Sequence, residues 1–206
     1  MNSSHYDYYY PKDFEKFLPV LKLGSDLFSF SNKSKKIGIL NRYKNSLLYI
    51  NDLLKKIMAI TTANKKRKSI VIVYGDHGEE FGEMGGFAHV TALNVHTLKT
   101  VMYLHFPHIN NQIEIDETSS HLDILPTVLD YLSTYHVFNF SSLKLNNWGR
   151  SLLKKIPEDR VTFSALPHRL VPDDYSYNFK DEVFQFTTTP DIDKLLLLKS
   201  LNNFGK

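Results

Sequence analysis

An α/β layered fold is the prediction, and three observations make it. Residues Ser69 to Tyr74 form a continuous β-branched run, Ile-Val-Ile-Val at its centre, with no polar alternation; that pattern suits a central strand covered on both faces, as in a parallel sheet. One helical pattern precedes this run, and a second apolar run and a second helical pattern follow it. The composition is ordinary for a globular chain, 42% hydrophobic and 23% charged, and 206 residues can bury a sizeable core.

In chain order, residues 1–23 are crowded with Tyr6, Tyr8, Tyr9, Tyr10, Phe14 and Phe17 and read as an ordered aromatic loop. Residues 24–36 are rich in Ser and Lys and read as a surface loop. Residues 37–60 carry Ile37, Leu40, Leu47, Leu48, Leu54, Ile57 and Met58 at three- and four-residue steps, the mark of an amphipathic helix. A polar link, Asn64 to Lys68, leads to the interior strand Ile70 to Tyr74, which Gly75 breaks. Thr100 to Phe106 is a second strand, ended by Pro107. Leu122 to Leu132 reads as a helix with Asp123 as N-cap and Pro126 in its first turn, where proline is tolerated. Arg160 to Leu166 and Glu182 to Thr187 read as a strand pair, and Asp191 to Phe204 as a short terminal helix.

Several function classes are excluded early. A net charge of +3, scattered along the chain, gives no footprint for nucleic acid. The absence of cysteine removes disulfides, thiolate metal sites and a Cys nucleophile. No run of about 18 apolar residues is present, and the segment Met1 to His5 lacks the regions of a signal peptide.

Chemistry concentrates in Gly75-Asp76-His77-Gly78-Glu79-Glu80-Phe81-Gly82-Glu83, directly after the apolar strand. Ligands of open α/β sheets bind at the carboxyl ends of strands. An Asp and a His there offer a carboxylate oxygen and an imidazole nitrogen, donors suited to Zn²⁺ or Mn²⁺. Neighbouring strand residues point to opposite faces, so Asp76 and His77 can share an ion only if the chain turns, which the flanking glycines permit.

The segment Asp76 to Glu83 resembles the DHGE-x-x-GE signature of sulfatases, lipoteichoic-acid synthases and phosphoethanolamine transferases in the alkaline-phosphatase superfamily. Three more segments resemble that family in the expected order: Ser4-His5-Tyr6, the helix Arg42 to Asp52, and Ser120-His121-Leu122-Asp123-Ile124-Leu125-Pro126-Thr127-Val128-Leu129. The resemblance implies an alkaline-phosphatase-like layered sheet flanked by helices and incomplete at its N-terminal side. It implies that Asp76 and His77 bind a divalent metal (Zn, Mn, Mg or Ca), and that His5 and His89 contact the sulfate or phosphate group. It gives residues 1–152 as the C-terminal part of a catalytic domain and 153–206 as an appendage.

Family enzymes carry a third carboxylate and a hydroxyl or modified-Cys nucleophile upstream of the segment that resembles Ser4-His5, so no catalytic nucleophile is expected here. Thr61 and Thr62, between a helix and a Lys-rich loop, are poorly placed for that role. His105 and His108 read as loop residues, Lys65 to Lys68 as a solvated turn, and His121 receives no ligand role. The function implied is a partial hydrolase domain for sulfate or phosphate esters, inactive alone. The alternative is a sulfatase-like pseudoenzyme or lipid- or protein-binding module of a bacterial inner-membrane protein. The partners implied are an anionic ester, a lipid, and the missing N-terminal part of the same protein; the location implied is the periplasmic face of the inner membrane.

Overall fold

The structure is a computed structural model that describes residues 3–5, 7–22, 33–63, 68–89, 93–135, 149–158, 160, 162–166, 174–179 and 182–186. The terminal helix expected at Asp191 to Phe204 and most of the basic turn Lys65 to Lys68 lie outside the described residues. The chain divides into two compact units, residues 1–91 with 100–107, and residues 92–99 with 108–206.

In the first unit a 31-residue helix, α1 (Lys33–Ala63), is the longest element. It starts within the stretch expected to be loop, because lysines propagate a helix well and apolar periodicity cannot register them. Its buried side also differs from the expected face. Ile39, Asn41, Asn45 and Ser46 are buried, whereas Ile37, Leu47 and Ile57 are exposed. The polar side is buried because its groups are used. Asn45 Oδ1 accepts from the backbone N–H of Lys16 (2.9 Å) and Phe17 (2.8 Å), and its amide donates to the Phe17 carbonyl (3.1 Å). Asn41 donates to the Pro19 carbonyl at 3.0 Å. The aromatic segment before Pro19 is thus ordered by amides of α1 that satisfy its backbone. The Phe14 ring adds a contact with Tyr49, 5.1 Å between centroids.

Strand β1 (Val71–Tyr74) pairs antiparallel with the strand Met102–His105, Val71 opposite His105 and Tyr74 opposite Met102. The expectation of an interior parallel strand does not hold among the described residues. The sheet has two strands, Val71 to Val73 are only half-buried, and Tyr74 is exposed. A β-branched run reports strand propensity and apolar surface but not the direction or number of its neighbours. His105 also lies within the strand rather than in a loop. A short hairpin, β2 (Glu80–Phe81) with β3 (Phe87–Ala88), completes the unit, and Met102–His105 is then β4. The core of this unit is Tyr8, Ile39, Phe81, Phe87 and Ala88, with Leu21, Leu40 and Tyr43 packed on it.

In the second unit α2 (Val95–Leu98) is capped by Asn94, whose side chain accepts from His96 and Thr97 N–H. A 3₁₀ turn, His121–Asp123, runs into α3 (Ile124–Tyr135), with Pro126 in the first turn. The N-cap is Ser120 rather than Asp123, and Asp123 is the third-position partner of a capping box that accepts from the Ser120 N–H. Asp123 also accepts from the Arg150 N–H (2.8 Å) and from the Arg160 guanidinium. Gly149 has to be a glycine: a Cβ there would lie 1.9 Å from the Leu122 carbonyl oxygen. His108 packs rather than forming part of a site, its Nδ1 2.6 Å from the Tyr131 hydroxyl and its ring stacked on Tyr135. The strand pair expected near the end is a three-stranded meander, β5 (Thr162–Leu166), β6 (Asp174–Phe179) and β7 (Glu182–Phe186), with β6 in the middle. The sequence Asp174-Tyr175-Ser176-Tyr177-Asn178-Phe179 alternates polar and aromatic residues, the period-2 signal that marks β6. No helix among the described residues is long and apolar enough to cross a membrane.

Candidate metal and anion site

The site is built at the end of β1. The Gly75 N–H bonds the Val101 carbonyl at 3.0 Å, so pairing persists one residue beyond the strand. The chain then turns. Asp76 Oδ1 accepts from the His77 N–H at 3.2 Å and lies 3.7 Å from His77 Nε2. These two side chains converge instead of pointing to opposite faces. His77 Nδ1 donates to the Gly78 carbonyl at 2.8 Å, so Nε2 is the ring nitrogen on the Asp76 side. The Asp76 side chain is 86% exposed and that of His77 33%, so the pair sits at an open mouth.

The β2–β3 hairpin supplies the next layer. Its register places Glu80 opposite Ala88 and Phe81 opposite Phe87. One step outward, Glu79 therefore faces His89, and His89 Nδ1 donates to Glu79 Oε2 at 3.1 Å. The intervening turn is fixed by carboxylates. Fully buried Glu80 accepts from Met84 and Gly86 N–H through Oε1 at 2.9 and 2.7 Å, and Glu83 accepts from the Phe81 N–H. Gly82 and Gly85 take the positive φ values, 86° and 88°, that this turn requires. The hairpin thus folds the twelve-residue separation of His77 and His89 back on itself. The two imidazoles stack, with centroids 3.8 Å apart.

A third segment brings His5. Its ring lies 5.3 Å from that of His89 and is exposed. The Tyr8 N–H bonds the His5 carbonyl at 2.8 Å, and Asp7 (φ 82°) and Tyr8 (φ 43°) are both left-handed. Such a backbone costs on the order of 1 kcal/mol or more per non-glycine residue and persists only where its surroundings hold it. The holders are identifiable. Arg42 of α1 donates from Nε to the Asp7 carbonyl at 2.7 Å. The Tyr8 ring is buried against Tyr43 and Phe81, and its hydroxyl donates to Glu79 Oε1 at 2.8 Å. Burial, and after it the charge of Glu79, pushes the Tyr43 phenol above its ordinary value.

His77, Glu79 and His89 each offer one ligand atom, all within 4.8 Å of one another, a group that could hold a metal ion. Asp76 is outside that group but shares His77 with it. Ligands about 2.0–2.1 Å from a tetrahedral Zn²⁺ are roughly 3.3 Å apart, so the 3.7 Å between Asp76 Oδ1 and His77 Nε2 suits a shared ion after a small adjustment. The three-residue group would have to draw in further, and it would trade the hydrogen bond between Glu79 and His89 for coordination. Carboxylate-to-histidine hydrogen bonds commonly orient a metal-binding imidazole, and Glu79 is already placed to do that. Sequence reasoning missed Glu79. Its signal was its position two residues after His77, inside the motif. Thr61 and Thr62 point their hydroxyls at the Met58 carbonyl of their own helix, at 3.0 and 2.7 Å.

Comparison with known proteins gives a match to the family model described as Sulfatase over residues 1–134. That family has an alkaline-phosphatase-like α/β fold. The chain is also similar to "Phosphoethanolamine transferase EptA" of Salmonella typhimurium, 32% identical over 81 residues. The aligned part is 39% of this chain and only 14% of that protein's length.

Proposed function

This chain belongs to the sulfatase family, and from that premise we propose that it carries the metal-binding and anion-binding part of a domain acting on sulfate or phosphate esters. The observation that supports this reading most is the convergence of Asp76 Oδ1 and His77 Nε2 to 3.7 Å at the carboxyl end of β1, with the His89 ring stacked on His77. Asp76 and His77 would hold a divalent ion, which when bound supplies positive charge to an ester oxygen. His5 and His89 would hydrogen-bond the remaining anionic oxygens. Likeness to a phosphoethanolamine transferase is the reason to include phosphate esters beside sulfate. On the same reading the site works at the periplasmic face of the inner membrane, as the family resemblance implies.

No nucleophile is assigned. The hydroxyls of Thr61 and Thr62 are committed to the Met58 carbonyl, and two protein donors make a weaker site than the three usual in catalytic zinc centres. The chain alone is therefore expected to bind an ion and to turn over no ester. The test is calorimetric titration of Zn²⁺ and Mn²⁺ into the chain and into Asp76→Ala and His77→Ala variants, beside assays on aryl sulfate and aryl phosphate. Loss of at least about tenfold in affinity in each variant is expected. Equal affinity in all three proteins would refute the metal assignment. Turnover abolished by Asp76→Ala would refute the statement that the chain is inactive alone.

A further inference from the structure

Two hydrogen bonds meet on one peptide group. The Asp7 carbonyl accepts from Arg42 Nε at 2.7 Å, and the Tyr8 N–H, at the other end of the same planar unit, donates to the His5 carbonyl at 2.8 Å. That peptide stands in a strained orientation, since Asp7 (φ 82°) and Tyr8 (φ 43°) are both left-handed. We propose that Arg42 is a positioning residue for the anion: by holding the Asp7 carbonyl it keeps this peptide from turning over, and so keeps His5 beside His89. The inference rests on the anion-binding role given above to His5.

A trans peptide is planar, so its C=O and N–H point in opposite directions and move together. A half-turn of the Asp7–Tyr8 peptide would take Tyr8 from φ 43° into the extended region, where a tyrosine is unstrained. The same half-turn would point the carbonyl away from Arg42 and the N–H away from His5. Strain at Tyr8 favours that movement, and a hydrogen bond from a permanently charged guanidinium opposes it. The guanidinium stands on a long helix, α1, and is itself held. Its Cζ lies 5.5 Å from the centre of the Tyr10 ring, a cation over a π face, and the Tyr10 hydroxyl donates to Glu15 at 3.1 Å. Arg42 therefore touches the chain on both sides of Tyr8, at Asp7 before it and at Tyr10 after it. His5 is exposed, so its place beside His89, 5.3 Å between ring centroids, follows from where its backbone is held. Nothing in these contacts requires Arg42 to touch the substrate.

The experiment uses Arg42→Met, which keeps an apolar stem and good helix propensity and removes the guanidinium. Two nuclear magnetic resonance signals report the turn: the coupling between the Tyr8 amide and α protons, which follows φ, and cross-relaxation between the His5 and His89 rings. In Arg42→Met the coupling is expected to move to the extended value and the ring contact to disappear. Titration of inorganic phosphate should show about fivefold weaker binding to Arg42→Met, the equivalent of one ordinary hydrogen bond. Arg42→Lys, which returns a charged donor, should recover most of that loss, and it keeps the test decisive should the first variant fail to fold. A double-mutant cycle with His5→Ala separates positioning from a general effect on the fold. If Arg42 acts through His5, Arg42→Met should weaken phosphate binding no further once His5 is alanine. Losses that add would overturn the assignment, because Arg42 would then act on the anion apart from His5. An unchanged Tyr8 coupling and ring contact in Arg42→Met would overturn it as well. Failure of the unaltered chain to bind phosphate would instead refute the anion-binding reading of His5, and the coupling and ring contact would still decide whether Arg42 holds the turn.

Discussion

The Arg160 guanidinium grips both oxygens of Asp123, Nη1 to Oδ2 at 2.7 Å and Nη2 to Oδ1 at 2.5 Å, with both side chains buried. Asp123 also accepts the backbone N–H groups of Ser120 and Arg150. In the Ser120 to Leu129 segment the aspartate is therefore a structural hub that ties the start of α3 to residues 149–160. Removing one member of a buried pair strands the other charge, which costs about 3–5 kcal/mol. Arg160→Ala is expected to lose stability in that range by urea denaturation. The double variant Asp123→Leu with Arg160→Leu should recover little, because the Ser120 and Arg150 N–H groups would then lack their acceptor. Full recovery would show that the ion pair alone matters at this position.

Asn45 is fully buried and makes three hydrogen bonds to the backbone of Lys16 and Phe17. Asn45→Leu preserves volume but removes these three hydrogen bonds, each contributing about 0.5–1.5 kcal/mol. The variant should be destabilised by roughly 2–4 kcal/mol. Limited proteolysis should then cut near residues 12–19, where the parent chain resists. Parent-like resistance would mean that the segment is held by its aromatic contacts with α1 instead.

These two residues also mark what could be read from the sequence. The positions of β1, β4 and α3 were legible because apolar runs and periodic patterns are local signals. The buried face of α1 was not, because its key side chains are amides whose burial depends on backbone groups far away in sequence. Pairing direction was invisible for the same reason: the run Ile70 to Val73 says nothing about Met102–His105 lying antiparallel. The candidate site was legible as a motif around Asp76 and His77. The place of Glu79 emerged only from the hairpin register that sets it opposite His89. Tyr8 looked like one aromatic among several until its hydroxyl was seen on Glu79.

Asp130 offers a pH-dependent test. Burial pushes its carboxyl upward, but hydrogen bonds from Ser151 and Lys154 outweigh this and hold it below its ordinary value of 3.8. A carboxylate depressed in the folded state stabilises the fold above its unfolded pKa, and the contribution disappears as pH falls through the folded pKa. Ser151→Ala should remove part of it. The stability difference between parent and variant should be full at pH 6 and should shrink toward zero as pH falls below about 4. Urea titrations across that range would measure it. A difference that stays constant with pH would assign the effect of Ser151 to its packing.

The turn that returns the chain to His89 depends on Glu80. Its side chain is fully buried, and a single oxygen, Oε1, receives both Met84 and Gly86 N–H. Hydrogen bonds to a charged acceptor contribute about 1.5–3 kcal/mol each, and this one oxygen holds two backbone donors of a turn whose glycines are left-handed. Glu80→Ala is therefore expected to release the turn at 82–86 and to lower stability, and on the proposed reading to weaken metal binding as well, because the β2–β3 register holds His89 stacked on the proposed ligand His77. Glu80→Gln distinguishes the causes. Its amide oxygen can occupy the place of Oε1 and keep both bonds, so geometry survives while charge is lost. Metal affinity near that of the parent in Glu80→Gln, with loss in Glu80→Ala, is the expected pattern in paired calorimetric titrations. Equal loss in both would mean that the buried negative charge of Glu80 itself attracts the ion, and that the turn is secondary.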